Sequence, residues 1–154
     1  MKHKNLLIGV CLVLILALAP IINVEARKSK LLYLHHHEVV PSGTGDPNMF
    51  GEATIDVNAG HAQICYWMRV FIYAGFDEWP PTSAGIYNAP AGQNGPLVVD
   101  LNPDWGPLGE PTVSGCVNID KDLAHDIQRR PSQYYLLLTD QSYPAGAARA
   151  QLVP

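Results

Sequence analysis

Cysteine is scarce in this sequence, with three among 154 residues, and Cys11, Cys65 and Cys116 lie too far apart to form a Cys-x-x-Cys pair. That spacing disfavours a cysteine-based zinc site or a reactive dithiol. Charge is also sparse, at 16% of residues, and no run of like charge is long enough to form a tail. The Gly-x-Ser-x-Gly elbow, the His-Glu motif of zinc proteases and the phosphate-binding loop are missing. We therefore expect a protein without catalytic activity.

The longest apolar run lies at the N-terminus, over residues 6–19, and Lys2 and Lys4 precede it. Small residues stand at the −3 and −1 positions of a cleavage site before Arg27. This pattern predicts a secretory signal peptide, residues 1–26. The alternative is an uncleaved membrane anchor, for which the apolar run is at the short end of the usual range.

Removal of residues 1–26 leaves 128 residues, enough for one domain, with 8 basic and 13 acidic side chains. The resulting net charge of −5 disfavours nucleic acid or an anionic membrane surface as a partner. We expect a secreted or extracytoplasmic protein, at the cell surface or in a periplasm. It would contact a membrane only if the signal segment is not cleaved.

Cys65 and Cys116 remain after export, and an even pair in an oxidising compartment predicts a disulfide between them. In the chain-entropy description, a bridge that closes a loop of about 50 residues stabilises the fold by about 4 kcal/mol. The alternative is a pair of buried free thiols.

The segment around which we expect the fold to be organised is Gln63–Tyr73, QICYWMRVFIY. β-Branched and aromatic residues fill it, no glycine or proline interrupts it, and Arg69 is its only charge. Because alternate residues of a strand point to opposite faces, both faces of this strand are largely apolar. The pattern predicts a strand in the middle of a sheet that is covered on both sides.

Turn-forming clusters separate the other predicted strands. Asp120 is a candidate N-cap, Arg129 and Arg130 follow in the last turn, and Pro131 ends the pattern, which predicts one short helix near residues 121–130. Short strands at this spacing indicate an all-β fold, an antiparallel Greek-key β-sandwich of the immunoglobulin or copper–zinc superoxide dismutase type. The predicted strands are 31–39, 52–57, 63–73, 83–87, 96–101, 112–119, 133–139 and 147–153.

Short motifs along the chain also follow the order of a known family. The most specific are Asn94-Gly95-Pro96 and the C-terminal run Tyr143-Pro144-Ala145-Gly146 with Arg149 and Gln151-Leu152. Others are Gly45-Asp46-Pro47, Gly51-Glu52-Ala53, Ile64-Cys65-Tyr66 and Ser114-Gly115-Cys116-Val117. The chain resembles the chordin-type (CHRD) domain over nearly all of its mature length. The resemblance implies an N-terminal extension, 27–33, followed by a sandwich domain, 34–153, that acts outside the cytoplasm as a non-enzymatic binding or structural module.

The chain departs from this family at three positions. Members commonly carry a His-x-His pair before the glycine-rich turn and another histidine after the paired tyrosines. In this sequence those positions correspond to Gly85, Tyr87 and Thr139. None of these residues is a good metal ligand, so we expect no cofactor there.

The His35-His36-His37 cluster supports the alternative function, a copper- or zinc-binding or redox-associated protein. His35 and His37 would share one face of a strand, about 7 Å apart. A third ligand, such as His61, would have to lie near them. The simpler interpretation is a solvated strand at the edge of a sheet.

Two tryptophans stand in proline-containing loops, each beside an acidic residue: Trp79 next to Glu78, and Trp105 next to Asp104. Exposed tryptophan on a loop is typical of recognition sites, so these four residues are our sequence-based candidates for binding a protein or surface ligand. The alternative is that each ring folds down and caps one end of the sandwich. Arg149 stands in an otherwise apolar last strand, and we expect it to bind a carboxylate or loop carbonyls as a structural residue.

Overall fold

The computed structural model describes residues 30–35, 45–72, 80–101, 103–105 and 112–154. Within these ranges, eight strands form two four-stranded antiparallel sheets. The first sheet contains β1 (Lys30–Leu34), β2 (Met49–Asn58), β3 (Gln63–Ile72) and β6 (Thr112–Asn118), in the spatial order β1-β2-β3-β6. The second contains β4 (Ser83–Asn88), β5 (Leu97–Asp100), β7 (Tyr134–Thr139) and β8 (Ala148–Gln151), in the order β5-β4-β7-β8.

The core lies between the two sheets, which confirms the predicted antiparallel β-sandwich. Alternate residues of each strand point inward, and the largest of them are fully buried. One corner of the sandwich is joined by backbone hydrogen bonds, because His35 and Arg149 exchange both N–H···O bonds, at 2.9 and 3.0 Å. The inward-facing residues that are almost completely buried include Leu34, Met49, Ile64, Met68, Ile86, Leu136 and Leu138.

β3 is an interior strand, as predicted, but the prediction that both of its faces are covered is wrong. Its inward residues, among them Ile64 and Met68, are buried, whereas Trp67 and Phe71 on the opposite side are half-buried and Arg69 is exposed. This side of β3 is therefore only partly covered. The apolar residues there pack on one another instead.

The strand that is covered on both faces is β7, of which residues 134–138 are all buried. Its inward residues join the core, and its outward residues Tyr135 and Leu137 lie beneath the turn at residues 89–96. Ala89 packs on them, and the N–H of Gly95 donates to the hydroxyl of Tyr135 at 3.2 Å. This turn covers the outward side of β7, whereas Leu97 on the edge strand β5 is 49% exposed.

One α-helix, α1 (Lys121–Arg129), is present in the described part of the chain, as predicted. Asp120 is its N-cap, since its carboxylate accepts from the N–H groups of Asp122 and Leu123 at 2.8 and 3.0 Å. The helix ends where Pro131 begins a short 3-10 turn (Pro131–Gln133). It lies against β2 and β3.

The domain limits differ slightly from those expected. β1 begins at Lys30 and pairs with β2, so the sheet includes residues 30–33, which the sequence analysis assigned to an extension. The predicted strand 31–39 is observed up to Leu34, and residues 36–39 lie outside the described ranges. The signal peptide, residues 1–26, lies outside them as well. Among the helices that the structure describes, none has the length and apolar character needed to cross a bilayer.

Candidate binding surface

Aromatic side chains cluster on the face of the first sheet that points away from the second sheet, which we call the outer face. Strand register places Phe50 opposite Phe71, and Tyr33 opposite Glu52, which is itself opposite Arg69. Tyr33 is 61% exposed and Phe50 40%. Leu31, Tyr33 and Phe50 are three of the five large apolar residues that are exposed in the described ranges. Clustered exposure of this kind marks an interaction surface more often than scattered apolar residues do.

The aromatic residues of the outer face hold one another in place. The rings of Phe50 and Phe71 stack with centroids 5.3 Å apart and planes at 18°. The guanidinium of Arg69 lies 4.7 Å from the centroid of Phe71, within cation–π distance. The outer face therefore offers an apolar surface with a cation at its centre and the carboxylate of Glu52 opposite it.

A disulfide joins Cys65 on β3 to Cys116 on β6, which confirms the predicted bridge. The two residues are directly opposite each other in the ladder, with Cα atoms 4.0 Å apart. Cys116 is exposed and Cys65 half-buried, so the bridge lies on the outer face and not in the core. It fixes β6 to the sheet beside the aromatic cluster.

The sequence alone did not predict Tyr33, Phe50 and Arg69 as candidate binding residues. The signal was present in β2, where Phe50 is out of phase with the buried residues Met49, Gly51 and Ala53. An aromatic residue on the polar phase of an alternating strand indicates a functional face or a second layer. Long-range pairing was needed to bring these residues together.

Of the tryptophan loops, the structure describes Asp104 and Trp105, while Glu78 and Trp79 lie outside the described ranges. The ring of Trp105 is half-buried and packs against the core. Its indole Nε1 is buried and has no hydrogen-bond partner among the described residues. Asp104 is exposed beside it.

The histidines proposed as metal ligands do not come together where they are described. His35 is exposed, and its contact with Arg149 is made by the backbone. His61 is exposed in a turn, where its N–H donates to Asn58 Oδ1 at 3.2 Å. His37 lies outside the described ranges. Within those ranges there is no group of three or more His, Cys, Asp or Glu residues that could hold a metal ion.

The three positions that carry histidine in the family lie near one another on the outward side of the second sheet. Gly85 and Tyr87 are alternate residues of β4, and Thr139 is opposite Ser83, the preceding residue on that side. Here the space is filled by other contacts. A Cβ on Gly85 would clash with the side chain of Leu97, Tyr87 stacks on Tyr135, and the hydroxyls of Ser83 and Thr139 are 2.6 Å apart.

Arg149 is 1% exposed and binds the 89–96 turn to β8. Its guanidinium donates to the carbonyls of Gln93 at 2.8 Å and Pro90 at 3.1 Å, and to Gln151 Oε1 at 2.9 Å. It also lies over the ring of Tyr135, 3.5 Å from the centroid. The expected role, a structural arginine that binds loop carbonyls, is what the contacts show.

Asp46 and Asp140 form a buried carboxyl pair that the sequence analysis did not anticipate; they are 5% and 2% exposed. Each closes its own turn, since Asp46 Oδ1 accepts from Asn48 N–H at 2.9 Å and Asp140 Oδ1 from Tyr143 N–H at 2.6 Å. Asp140 Oδ2 has no hydrogen-bond partner among the described residues. Burial raises the pKa of Asp140, the Tyr143 N–H partly offsets the rise, and the Asp46 carboxyl adds to it.

We expect Asp140→Asn to change the free energy of unfolding by an amount that depends on pH. Because the folded state raises the pKa of Asp140, it binds the proton more tightly than the unfolded chain, and the stabilising contribution of this group is lost as the pH rises through the folded pKa. Asparagine is neutral at every pH and has the same shape. We expect it to stabilise the protein by about 1 kcal/mol at neutral pH, a gain that shrinks as the pH falls below the folded pKa. Urea unfolding of both proteins at several pH values measures this, and a difference that does not vary with pH would contradict it.

Comparison with known proteins agrees with this structure. The family model described as CHRD domain matches residues 33–152 of the 154 residues. No curated protein and no solved structure matches the chain. The match covers both sheets, α1 and the disulfide, and it shows that the chain belongs to the CHRD domain family.

Proposed function

We propose that this CHRD domain is exported and acts outside the cytoplasm as a non-enzymatic binding module, with the outer face of the first sheet as its recognition surface. Its partner is a protein or another ligand at a cell surface. The predicted signal peptide and the exposed disulfide support export, because such bridges persist in oxidising compartments. Membership of the CHRD family supports a binding role in place of catalysis.

The observation that carries this proposal is the group Tyr33, Phe50, Phe71 and Arg69 on an open sheet. Tyrosine and arginine are the residue types that most often dominate binding energy at interfaces, and aromatic rings provide large contact areas at low entropic cost. Here they sit on a rigid sheet held by a disulfide, so little ordering is needed on binding. An open sheet face suits a macromolecular surface better than a small molecule, which would require a concave site.

Tyr33→Ser tests the proposal with Val153→Ser as the matched control. Both side chains are apolar and exposed, Tyr33 at 61% and Val153 at 46%, but Val153 lies outside the outer face. We expect Tyr33→Ser to weaken binding of the secreted protein to intact cells of its source organism by at least about tenfold. Val153→Ser should bind as the wild type does. Equal loss, or no loss, in both variants would contradict the assignment of the outer face.

Export is tested by the N-terminus of the secreted protein, which we expect to be Arg27. An uncleaved, membrane-bound chain would contradict export as a free protein.

No described residue favours the alternative metal-binding function over this one. A tightly bound copper or zinc ion in protein purified without a tag would nevertheless revive it, and would direct attention to His35 and His37.

A further inference from the structure

β6 forms one edge of the first sheet. It pairs with β3 along its whole length, from Thr112 opposite Arg69 to Asn118 opposite Gln63. No described residue pairs with its other edge. Within the described part of the chain, the backbone groups on that side are therefore unpaired and available to another strand.

Two observations identify the backbone groups at the free edge. Ile119 N–H donates to the directly opposite Ala62 O at 2.9 Å, so Ile119 and Ala62 form a hydrogen-bonded pair of the antiparallel ladder. Hydrogen-bonded and non-hydrogen-bonded pairs alternate from there along β6. The short Cα separation of Cys65 and Cys116, 4.0 Å, is that of a non-hydrogen-bonded pair. Both observations agree that odd-numbered residues of β6 bond to β3. The N–H and C=O groups of the even-numbered residues point outward: Thr112, Ser114, Cys116 and Asn118.

This edge lacks the features by which proteins usually protect an edge strand. The sequence of β6, TVSGCVN, contains no charged residue and no proline, and its pairing with β3 runs without a bulge. The second sheet is better protected, since its two edge strands, β5 and β8, have four residues each. Near β5 the register shifts, and Arg149 of β8 is bonded to His35.

We propose that two copies of this chain pair antiparallel along β6, about a two-fold axis at Gly115. The free-edge residues are placed symmetrically about this glycine, so Thr112 would lie opposite Asn118 of the second copy, and Ser114 opposite Cys116. All the free backbone groups of both strands are then satisfied by about eight hydrogen bonds. An added extended peptide would pair with this edge but would leave a new unpaired edge of its own, whereas the dimer leaves none at β6. A C2 dimer is also the commonest assembly of identical chains.

The side chains of β6 fit this arrangement. On the outer face, small uncharged residues would meet one another, so no like-charge repulsion opposes pairing. On the inner side, Val113 would lie opposite Val117 of the second copy. At the axis, Gly115 is overlain by the ring of Tyr66, since a Cβ there would be 2.6 Å from its hydroxyl oxygen. The disulfide holds β6 against β3, so the edge is ordered before a second copy arrives.

The pairing would produce a continuous eight-stranded sheet with both outer faces exposed at its ends. Tyr33 and Phe50 lie on β1 and β2, away from β6, so they stay accessible. The dimer would be bivalent, which increases avidity for a surface carrying repeated ligands. Formation of the dimer does not depend on what the outer face binds.

A charge-exchange pair of variants tests the register directly. Thr112→Lys with Asn118→Lys places lysine opposite lysine twice across the axis. Thr112→Lys with Asn118→Glu places lysine opposite glutamate at the same positions. Within one chain the two positions are about 20 Å apart, too far for their charges to interact strongly. Both variants should therefore affect the stability of the monomer similarly. Sedimentation of the secreted protein up to about 1 mM measures the dimer dissociation constant.

We expect the wild type to dimerise, and the Lys/Lys variant to dissociate at least about tenfold more readily than the Lys/Glu variant. Ser114→Pro should be monomeric and still folded, because proline removes an N–H that faces the free edge and none that bonds to β3. Ser114→Ala keeps that N–H and should dimerise. A wild type that is monomeric at every concentration would overturn the proposal, even if it binds an extended peptide. A dimer that is unchanged in both the Lys/Lys and the proline variant would overturn it as well.

Discussion

Arg149→Met will lower the free energy of unfolding by about 3–5 kcal/mol, a large share of the roughly 5–15 kcal/mol by which folded domains are usually stable. Methionine fills a similar length but donates no hydrogen bond, so the carbonyls of Gln93 and Pro90 lose their charged donor inside the fold. The stacking on Tyr135 is lost in the same step. The 89–96 turn should then separate from the outward side of β7 and β8.

Arg129→Met is the matched control, because Arg129 is an exposed arginine in the last turn of α1. Its replacement should change the free energy of unfolding by no more than about 0.5 kcal/mol. Arg149→Lys should fall between the two, since lysine keeps the charge but cannot supply the planar fork of donors. Urea unfolding measures all three variants. Equal midpoints for Arg149→Met and Arg129→Met would contradict the structural role given to Arg149.

Replacement of both Cys65 and Cys116 by serine will cost about 4 kcal/mol, because the bridge closes a loop between residues 51 positions apart. The effect should arise from the unfolded chain and not from lost packing. Cys116 is exposed and Cys65 half-buried, and serine is well tolerated on the solvent side of a strand. The cost therefore measures the cross-link itself.

Thermal unfolding of the wild type with and without reductant checks this value independently. Reduction should lower the midpoint of the wild type to about that of the double serine variant, and should leave that variant unchanged. If the wild-type midpoints with and without reductant coincide, the bridge does not stabilise the fold. Because β6 is held by this bridge, reduction should also weaken the β6 dimer.

Local sequence patterns predicted much of this fold. The N-cap at Asp120 and the two apolar strands around Cys65 and Leu137 each depend on neighbours in sequence, and they are observed. The sequence did not predict which outward sheet faces are covered by other parts of the chain. β3 and β7 look alike as apolar strands, but only β7 is covered outside, because the turn at residues 89–96 folds over it.

The candidate site was harder to predict than the fold, for the same reason. The sequence drew attention to tryptophans and histidines in loops, which stand out as residue types. The outer face instead depends on the register of three strands, which places Tyr33, Glu52 and Arg69 in one row. The Asp46–Asp140 pair likewise joins two turns that are far apart in the chain. A single sequence marks register and long-range contacts of this kind only weakly, as Phe50 does on the polar phase of β2.

The most direct test of the central claim is hydroxyl-radical footprinting of the purified protein, free in solution and bound to cells of its source organism. The claim predicts that Tyr33 and Phe50 are oxidised in the free protein and protected in the bound one. Leu97, which is 49% exposed on the second sheet, should be labelled equally in both states. Protection of Leu97 with continued labelling of Tyr33 and Phe50 would contradict the claim and place the binding surface elsewhere.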